Sequence, residues 1–282
     1  MEITNEVQTQ LKLKELALLK SFINVCKTLD LHYYVAYGTL LGAVRHNGFI
    51  PWDDDVDIIM PRKEYETFLE KAQALLPEGI FLQTFETDKQ YTNSYAKLRD
   101  NNTTFLETLY SDRHMNHGIF IDIFPLDYLP DNALMRKWIL WRNHLQLLRQ
   151  ILFLNWTHSR HPLIKRIIQV FLCLLYPDSK KTLRKNQEML RTIPPQKLMV
   201  NYCCCGVKAN SRFPATCFAE GVKGIFEGIE VILPNDFDKC LTIQYGDYMT
   251  PPPKEKQVSN HDTIMIDPNK SYLSYSSLIS SK

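Results

Sequence analysis

Between Pro51 and Pro61 the chain reads PWDDDVDIIMP. Asp53, Asp54, Asp55 and Asp57 fall within five positions and run directly into Val56, Ile58, Ile59 and Met60. A short apolar, β-branched run closed by a proline reads as a buried strand. Carboxylates at the mouth of such a strand are costly: a close pair repels by roughly 1 kcal/mol in water and about 4 at an effective dielectric of 20. A bound cation reverses that sign. Side chains on a strand alternate faces, so Asp55 and Asp57 are expected on one side, about 7 Å apart along the chain, with Val56 and Ile58 on the other. Two carboxylates on one face can hold a hard cation. An EF-hand loop starting at Asp53 would reach Glu64 at its last position, but Ile58 stands where that loop turns on glycine and Pro61 interrupts it. A merely solvated turn fits poorly, because such turns seldom feed straight into an apolar strand.

Working outward, HYYVAYG (32–38) reads as a strand, Gly38 and Thr39 as a tight turn, and TLLGAVRH (39–46) as a short helix stopped by Asn47 and Gly48. A helix start with a hydroxyl beside it suits an anion, so the carboxylate pair is read as a metal site and the turn as a phosphate site. A third carboxylate is expected where metals clamp both attacking and leaving oxygens. Asp122 is the candidate: in GIFIDIFPLD it is the lone polar residue between Ile121 and Ile123, a costly position unless it faces a site. The same Asp-x-Asp pattern also serves nucleotide-sugar glycosyltransferases, which therefore remain an alternative.

The rest of the chain sets the frame. With 282 residues, 45% hydrophobic and 23% charged, it is expected to be globular, and a formal charge of +2 argues against a nucleic-acid partner. The start lacks a signal-peptide pattern and no run is long enough to span a membrane, so a cytoplasmic location is expected. Seven cysteines, with Cys203, Cys204 and Cys205 lacking metal-ligand spacing, read as reduced thiols. Helical spacing at Leu16, Leu19, Ile23 and Cys26 predicts a first helix ending near Asp30. KEYETFLEKAQALL predicts another helix, and NSYAKLRD and GIFIDIFPLDYL two more strands. Ala133 to Leu175 reads as helical, broken at His161-Pro162 and Tyr176-Pro177. The preferred reading is a pair of core-packing helices; the alternative is a basic, Trp-bearing helix with Trp138, Trp141, Arg142 and Arg149 resting on a membrane surface. GIFEGIEVILP predicts a hairpin, DFDKCLTIQYG a helix, and DYMTPPPKEKQ a proline-stiffened loop over the site. The expected organisation is a mixed α/β (α+β) core over 1–132, a helical segment over 133–198, and a C-terminal part over 199–282 that completes the site and ends in a loosely ordered tail.

Four stretches, YGTLLGAVRHNGFIPWDDDVDIIMPR, YAKLRDNNTTFLE, GIFIDIFPLD and YGDYMTPPP, follow in order across about Tyr34 to Pro253. Together they resemble the LicD/fukutin family of the nucleotidyltransferase (polymerase beta-like) superfamily. The resemblance implies a nucleotidyltransferase core with a small mixed sheet, a helical middle segment and a C-terminal lid. It implies metal-dependent transfer of a phosphorylated alcohol, phosphocholine in the best-known case and the one expected here, from a CDP-activated donor to a sugar hydroxyl, with release of CMP. The acceptor would belong to a surface polysaccharide, teichoic acid or lipid-linked glycan precursor; if it is lipid-linked, the basic, Trp-bearing segment is expected to bring the protein into peripheral contact with the inner face of the cell membrane. Asp55 and Asp57 would hold magnesium, with manganese as a substitute, Asp122 would be the third carboxylate, and Asp53 a further candidate ligand. Thr39 replaces the serine of the superfamily's usual Gly-Ser and keeps its hydroxyl. Arg45, Lys97 and Arg99 are candidate partners of the donor diphosphate, and His261 resembles a late family position. An inactive nucleotide-binding module is the third alternative, against which Asp55, Asp57 and Asp122 argue.

Overall fold

The computed structural model describes residues 5–154, 162–175, 179–203, 209–258 and 261–276. The acidic stretch leads into β2 (Asp57–Pro61), which lies parallel to β6 (Ile119–Leu129). β6 is the central strand. On its other side runs antiparallel β4 (Ala96–Asp100), followed by β3 (Ile80–Gln83), while β1 (Tyr34–Val35) borders β2. Past this sheet the eleven-residue β6 continues and pairs with β7 (Leu198–Val200), which pairs with β8 (Arg212–Pro214), so the mixed sheet curls along one long strand.

The first helix, α1 (Asn5–Leu29), starts earlier than its apolar spacing suggested and buries Leu11, Leu18, Leu19, Phe22 and Ile23 on the sheet beside β4 and β6. α3 (Arg62–Lys71) joins it on that face, where Phe22 and Phe68 meet at 5.0 Å between ring centroids. The expected strand over HYYVAYG shortens to β1 because the backbone turns at Tyr37, at φ +48°, directly into α2 (Tyr37–His46). β3 and β5 (Thr104–Glu107) went unpredicted; each is four residues long and carries too few residues to show a period.

The helical segment divides at the proline breaks into α4 (Ala133–Leu154) and α5 (Pro162–Leu175), followed by α6 (Ser179–Arg191). α4 is anchored by Ile139, buried among Leu129, Leu190, Ile193 and Tyr202. The preferred reading of two core-packing helices fails for α5, whose described side chains are exposed. Of the residues named for the membrane alternative on α4, Trp138 and Trp141 are exposed, Arg149 is buried and Arg142 bonds to Asn186.

The C-terminal residues return to the first half of the chain. The hairpin of β9 (Val222–Phe226) and β10 (Ile229–Leu233) turns on Glu227 and Gly228, both at positive φ, as a two-residue hairpin loop demands. α7 (Phe237–Tyr245), capped by Asp236, packs beside α2, and β11 (Thr263–Asp267) pairs antiparallel with β5. Cys26, Cys203, Cys217 and Cys240 are buried free thiols; Cys204, Cys205 and the last tail residues, 277–282, lie outside the described residues.

Candidate active site

Strand register builds the centre of the site. Asp57 is the partner of Asp122 across the parallel ladder, and Asp122 is the partner of Lys97 across the antiparallel one. Ladder partners point to the same face, so three strands place Asp57, Asp122 and Lys97 in one row. Alternation sends Ile58, Met60, Ile121, Ile123, Ala96 and Leu98 into the core on the opposite face. Lys97 Nζ lies 2.9 Å from Asp122 Oδ1 and 3.2 Å from the centroid of the Phe120 ring, with the side chain buried. The lysine expected to meet a donor phosphate is therefore engaged by the third carboxylate.

Thr39 locks the helix start to this row. Its Oγ1 accepts a hydrogen bond from the Asp57 N–H at 2.8 Å, and the Ala36 N–H donates to the Asp57 carbonyl at 3.0 Å. The Thr39 hydroxyl, read from sequence as an anion contact, is buried and accepts this bond from the backbone of β2. Gly38 sits against Asp53: a Cβ on Gly38 would lie 2.3 Å from Asp53 Oδ2, so only glycine permits this approach of a carboxylate to the start of α2.

β2 begins at Asp57, which corrects the expectation that Asp55 shares a regular strand with it; Asp53 to Val56 form a non-strand lead-in. Among the described residues, Asp53, Asp54 and Asp55 each offer a carboxylate oxygen within 4.8 Å of the others. Burial, and then repulsion from Asp57, Asp53 and Asp122, raises the Asp55 carboxyl well above the usual range. Burial, and then Asp122 and Asp53, does the same to Asp57, against the pull of Lys97. Asp122 is also raised by burial, with Lys97 opposing. Hard oxygen donors crowded against mutual repulsion are the donor set a divalent cation takes, so these residues fit magnesium or manganese.

His261 reaches the same loop. Its Nδ1 lies 3.0 Å from Asp54 Oδ1, its Nε2 3.9 Å from Asp55 Oδ2, and its ring stands edge-on to Phe105 and Phe120. Burial disfavours the charged ring, but the Asp54 hydrogen bond and the fields of Asp55, Asp54 and Glu107 outweigh it and raise its pKa to about 9.

A cavity of about 440 Å³ opens over the cluster, lined by Tyr37, Gly38, Trp52, Asp53, Asp55 and Asp57 on one side. The loop running from Tyr245 to Pro252 forms the other side, so the proline-stiffened segment borders the site. Arg45 lines the cavity and holds that loop: its Nη1 donates to the Tyr248 carbonyl at 2.7 Å, and its Nε to His46 Nε2 at 3.0 Å. Arg99 is placed otherwise. It is fully buried, donates to Gln83 Oε1 at 2.6 Å and to the Gly118 carbonyl at 2.7 Å, and braces the sheet. A larger cavity, about 820 Å³, lies beside the Arg62–Asp127 ion pair and includes none of the clustered aspartates.

Three contributors escaped the sequence reading. Asp54 bonds His261. Glu15 is buried, and burial together with Asp55, Asp54 and Asp53 favours its neutral form. Tyr245 lines the cavity beside Asp53, Asp55 and Asp57 and, although its ring is partly exposed, desolvation of the hydroxyl and then these carboxylates push its pKa up. Glu15 carried a signal of its own, a lone acid in the apolar stripe Leu11, Leu18, Leu19 and Phe22, whereas Asp54 and Tyr245 lay inside stretches already singled out without a role of their own.

Comparison with known proteins meets this geometry. Residues 30–158 match the LicD/FKTN/FKRP nucleotidyltransferase domain. Over 253 residues the chain is 29% identical to the lipopolysaccharide cholinephosphotransferase LicD of Haemophilus influenzae, covering 87% of this chain and 92% of that protein. Shorter matches are to two uncharacterized proteins: RP689 of Rickettsia prowazekii, 35% identical over 105 residues, and RT0683 of Rickettsia typhi, 45% identical over 49. These cover 36% and 17% of this chain, and 35% and 15% of the respective proteins. The domain match spans the start of α2, the acidic lead-in, β2, β4 and β6, the elements that assemble the carboxylate row, so in its site-bearing half the chain is similar to the LicD/FKTN/FKRP nucleotidyltransferase domain.

Proposed function

We propose that this protein transfers phosphocholine from CDP-choline to a sugar hydroxyl of a surface glycan or its lipid-linked precursor, releasing CMP, on a nucleotidyltransferase-type core. The observation that carries the reading is the row of Asp57, Asp122 and Lys97, which meets the Asp53–Asp55 loop at a cavity next to the start of α2 that Asp53, Asp55 and Asp57 line. The name of the Haemophilus relative supplies the transferred group.

Asp55, Asp57 and Asp122, with Asp53, would hold magnesium or manganese, which when bound neutralises charge on the donor diphosphate. Arg45 lines the cavity with an Nη2 that has no hydrogen-bond partner among the described residues, and in this reading it binds a phosphate oxygen. The acceptor oxygen attacks the phosphorus distal to the nucleoside, in line with the bridging oxygen, whose bond to that phosphorus breaks. Asp122 takes the acceptor proton at a carboxylate oxygen, and Lys97 keeps that carboxylate anionic until the proton arrives. The 246–252 loop restricts water, which would otherwise compete with the sugar hydroxyl.

The test separates this reaction from glycosyl transfer, which also uses a divalent ion, a nucleotide diphosphate donor and a sugar hydroxyl. The protein is incubated with magnesium, an acceptor extract and, separately, CDP-choline, CDP-ribitol, CDP-glycerol and UDP-sugars. The expected result is CMP released from CDP-choline, with phosphorus appearing on the acceptor. UDP released from a UDP-sugar, with a glycan that grows without gaining phosphorus, overturns the reading. Release from another CDP-alcohol alone overturns the choline assignment and keeps the reaction.

A further inference from the structure

We propose that α5, together with the first turns of α4, is a docking surface for an anionic lipid bilayer. Leu163, Ile164, Ile167, Val170, Phe171 and Leu174 are between 59% and 76% exposed. At 3.6 residues per turn these positions fall on one side of the helix, a continuous apolar face about 20 Å long. Trp138 and Trp141 on α4, the helix against which α5 packs, are also exposed. Tryptophan at the edge of an apolar face suits the boundary between headgroups and acyl chains. No described helix is long and apolar enough to cross a membrane, so this surface would lie in the interface and not span it.

Charge identifies the occupant. Positions 133–191 hold twelve lysines and arginines, against Asp178 and Glu188 as the two acids. The whole chain carries only +2, so the remainder is net acidic and the positive charge is concentrated on the helical segment. Lys137 and Lys185 are exposed on α4 and α6. Basic residues near an anionic leaflet are drawn to it, and apolar insertion adds to that attraction. A second copy on the same face would instead oppose two strongly basic segments. An anionic bilayer suits both the apolar face of α5 and the basic composition of the helical segment that carries it.

The experiment is vesicle sedimentation of the full chain and does not depend on the transferase reaction, so its failure leaves that assignment standing. Vesicles of phosphatidylcholine alone are compared with vesicles of phosphatidylcholine mixed with phosphatidylglycerol, at low and high salt. Binding is expected to the mixed vesicles and to weaken with salt. Ile167→Asp combined with Phe171→Asp should weaken it about tenfold or more, with thermal melting unchanged. Lys137→Glu combined with Lys185→Glu, two exposed positions, should weaken it several-fold, about as expected for two surface charges, and keeps the test intact if the first variant misfolds. No binding to either vesicle, undiminished binding by both variants, or a concentration-dependent dimer without vesicle binding overturns the proposal.

Discussion

Asp57 and Asp122 are direct partners in the parallel ladder between β2 and β6, and both side chains are buried. Neighbouring strands lie about 4.8 Å apart, so two carboxylates are held side by side by backbone hydrogen bonding. Lys97 compensates Asp122 from the far side, which leaves Asp57 as the less neutralised member of the row.

Asp57→Asn should therefore remove activity while the protein without added metal keeps or gains stability, by about 1 kcal/mol or more, because one source of repulsion disappears. Thermal melts with and without magnesium, beside CMP-release assays, check this. The stabilising shift produced by magnesium should shrink in the variant. A large loss of metal-free stability with normal turnover would place Asp57 in the scaffold.

Thr39 tests the link between helix start and strand. Thr39→Val leaves the buried Asp57 N–H without its acceptor and should cost about 1–3 kcal/mol, with lower activity, whereas Thr39→Ser should restore both. Denaturant titration of the three proteins is decisive: equal stability of the valine and wild-type forms would show that the hydroxyl is not structural.

Lys97→Met should destabilise the fold by about 3–5 kcal/mol, since it strips the counterion from a buried carboxylate. Adding Asp122→Asn should recover part of that loss. A double-mutant cycle measures the coupling, and strictly additive effects would mean that the two residues act separately.

His117 predicts an acid limb in stability. Burial lowers its pKa to about 4, although its Nε2 bonds the Arg113 carbonyl at 2.8 Å. The unfolded chain binds this proton from about pH 6.5 downward, the folded state only near pH 4, so stability is lost as pH falls between those values. The shift is worth about 3 kcal/mol. Wild type should thus lose more stability than His117→Gln between pH 7 and 4 in paired denaturant titrations, and parallel curves would refute the assignment.

The sequence by itself determined the local elements and the chemical character of the site. The apolar run after Asp57, the stripe along α1, the Glu227-Gly228 hairpin and the Asp236 to Gly246 helix were legible because period, caps and turn residues act over a few neighbours. The acidic density before β2 likewise pointed to a cation, since repulsion among adjacent carboxylates needs no tertiary information. Tertiary structure decided which residues meet. Strand register set Asp122 against both Asp57 and Lys97, while side-chain bonds tied the Thr39 hydroxyl to the backbone of β2 and buried Arg99 in the scaffold. It brought Glu15 from α1, Tyr245 from the end of α7 and His261 from near β11 to one loop. It also left the apolar face of α5 uncovered, which composition alone read as core. Register and burial are properties of pairings between distant segments, and a local pattern records what a residue can do without recording what it will face.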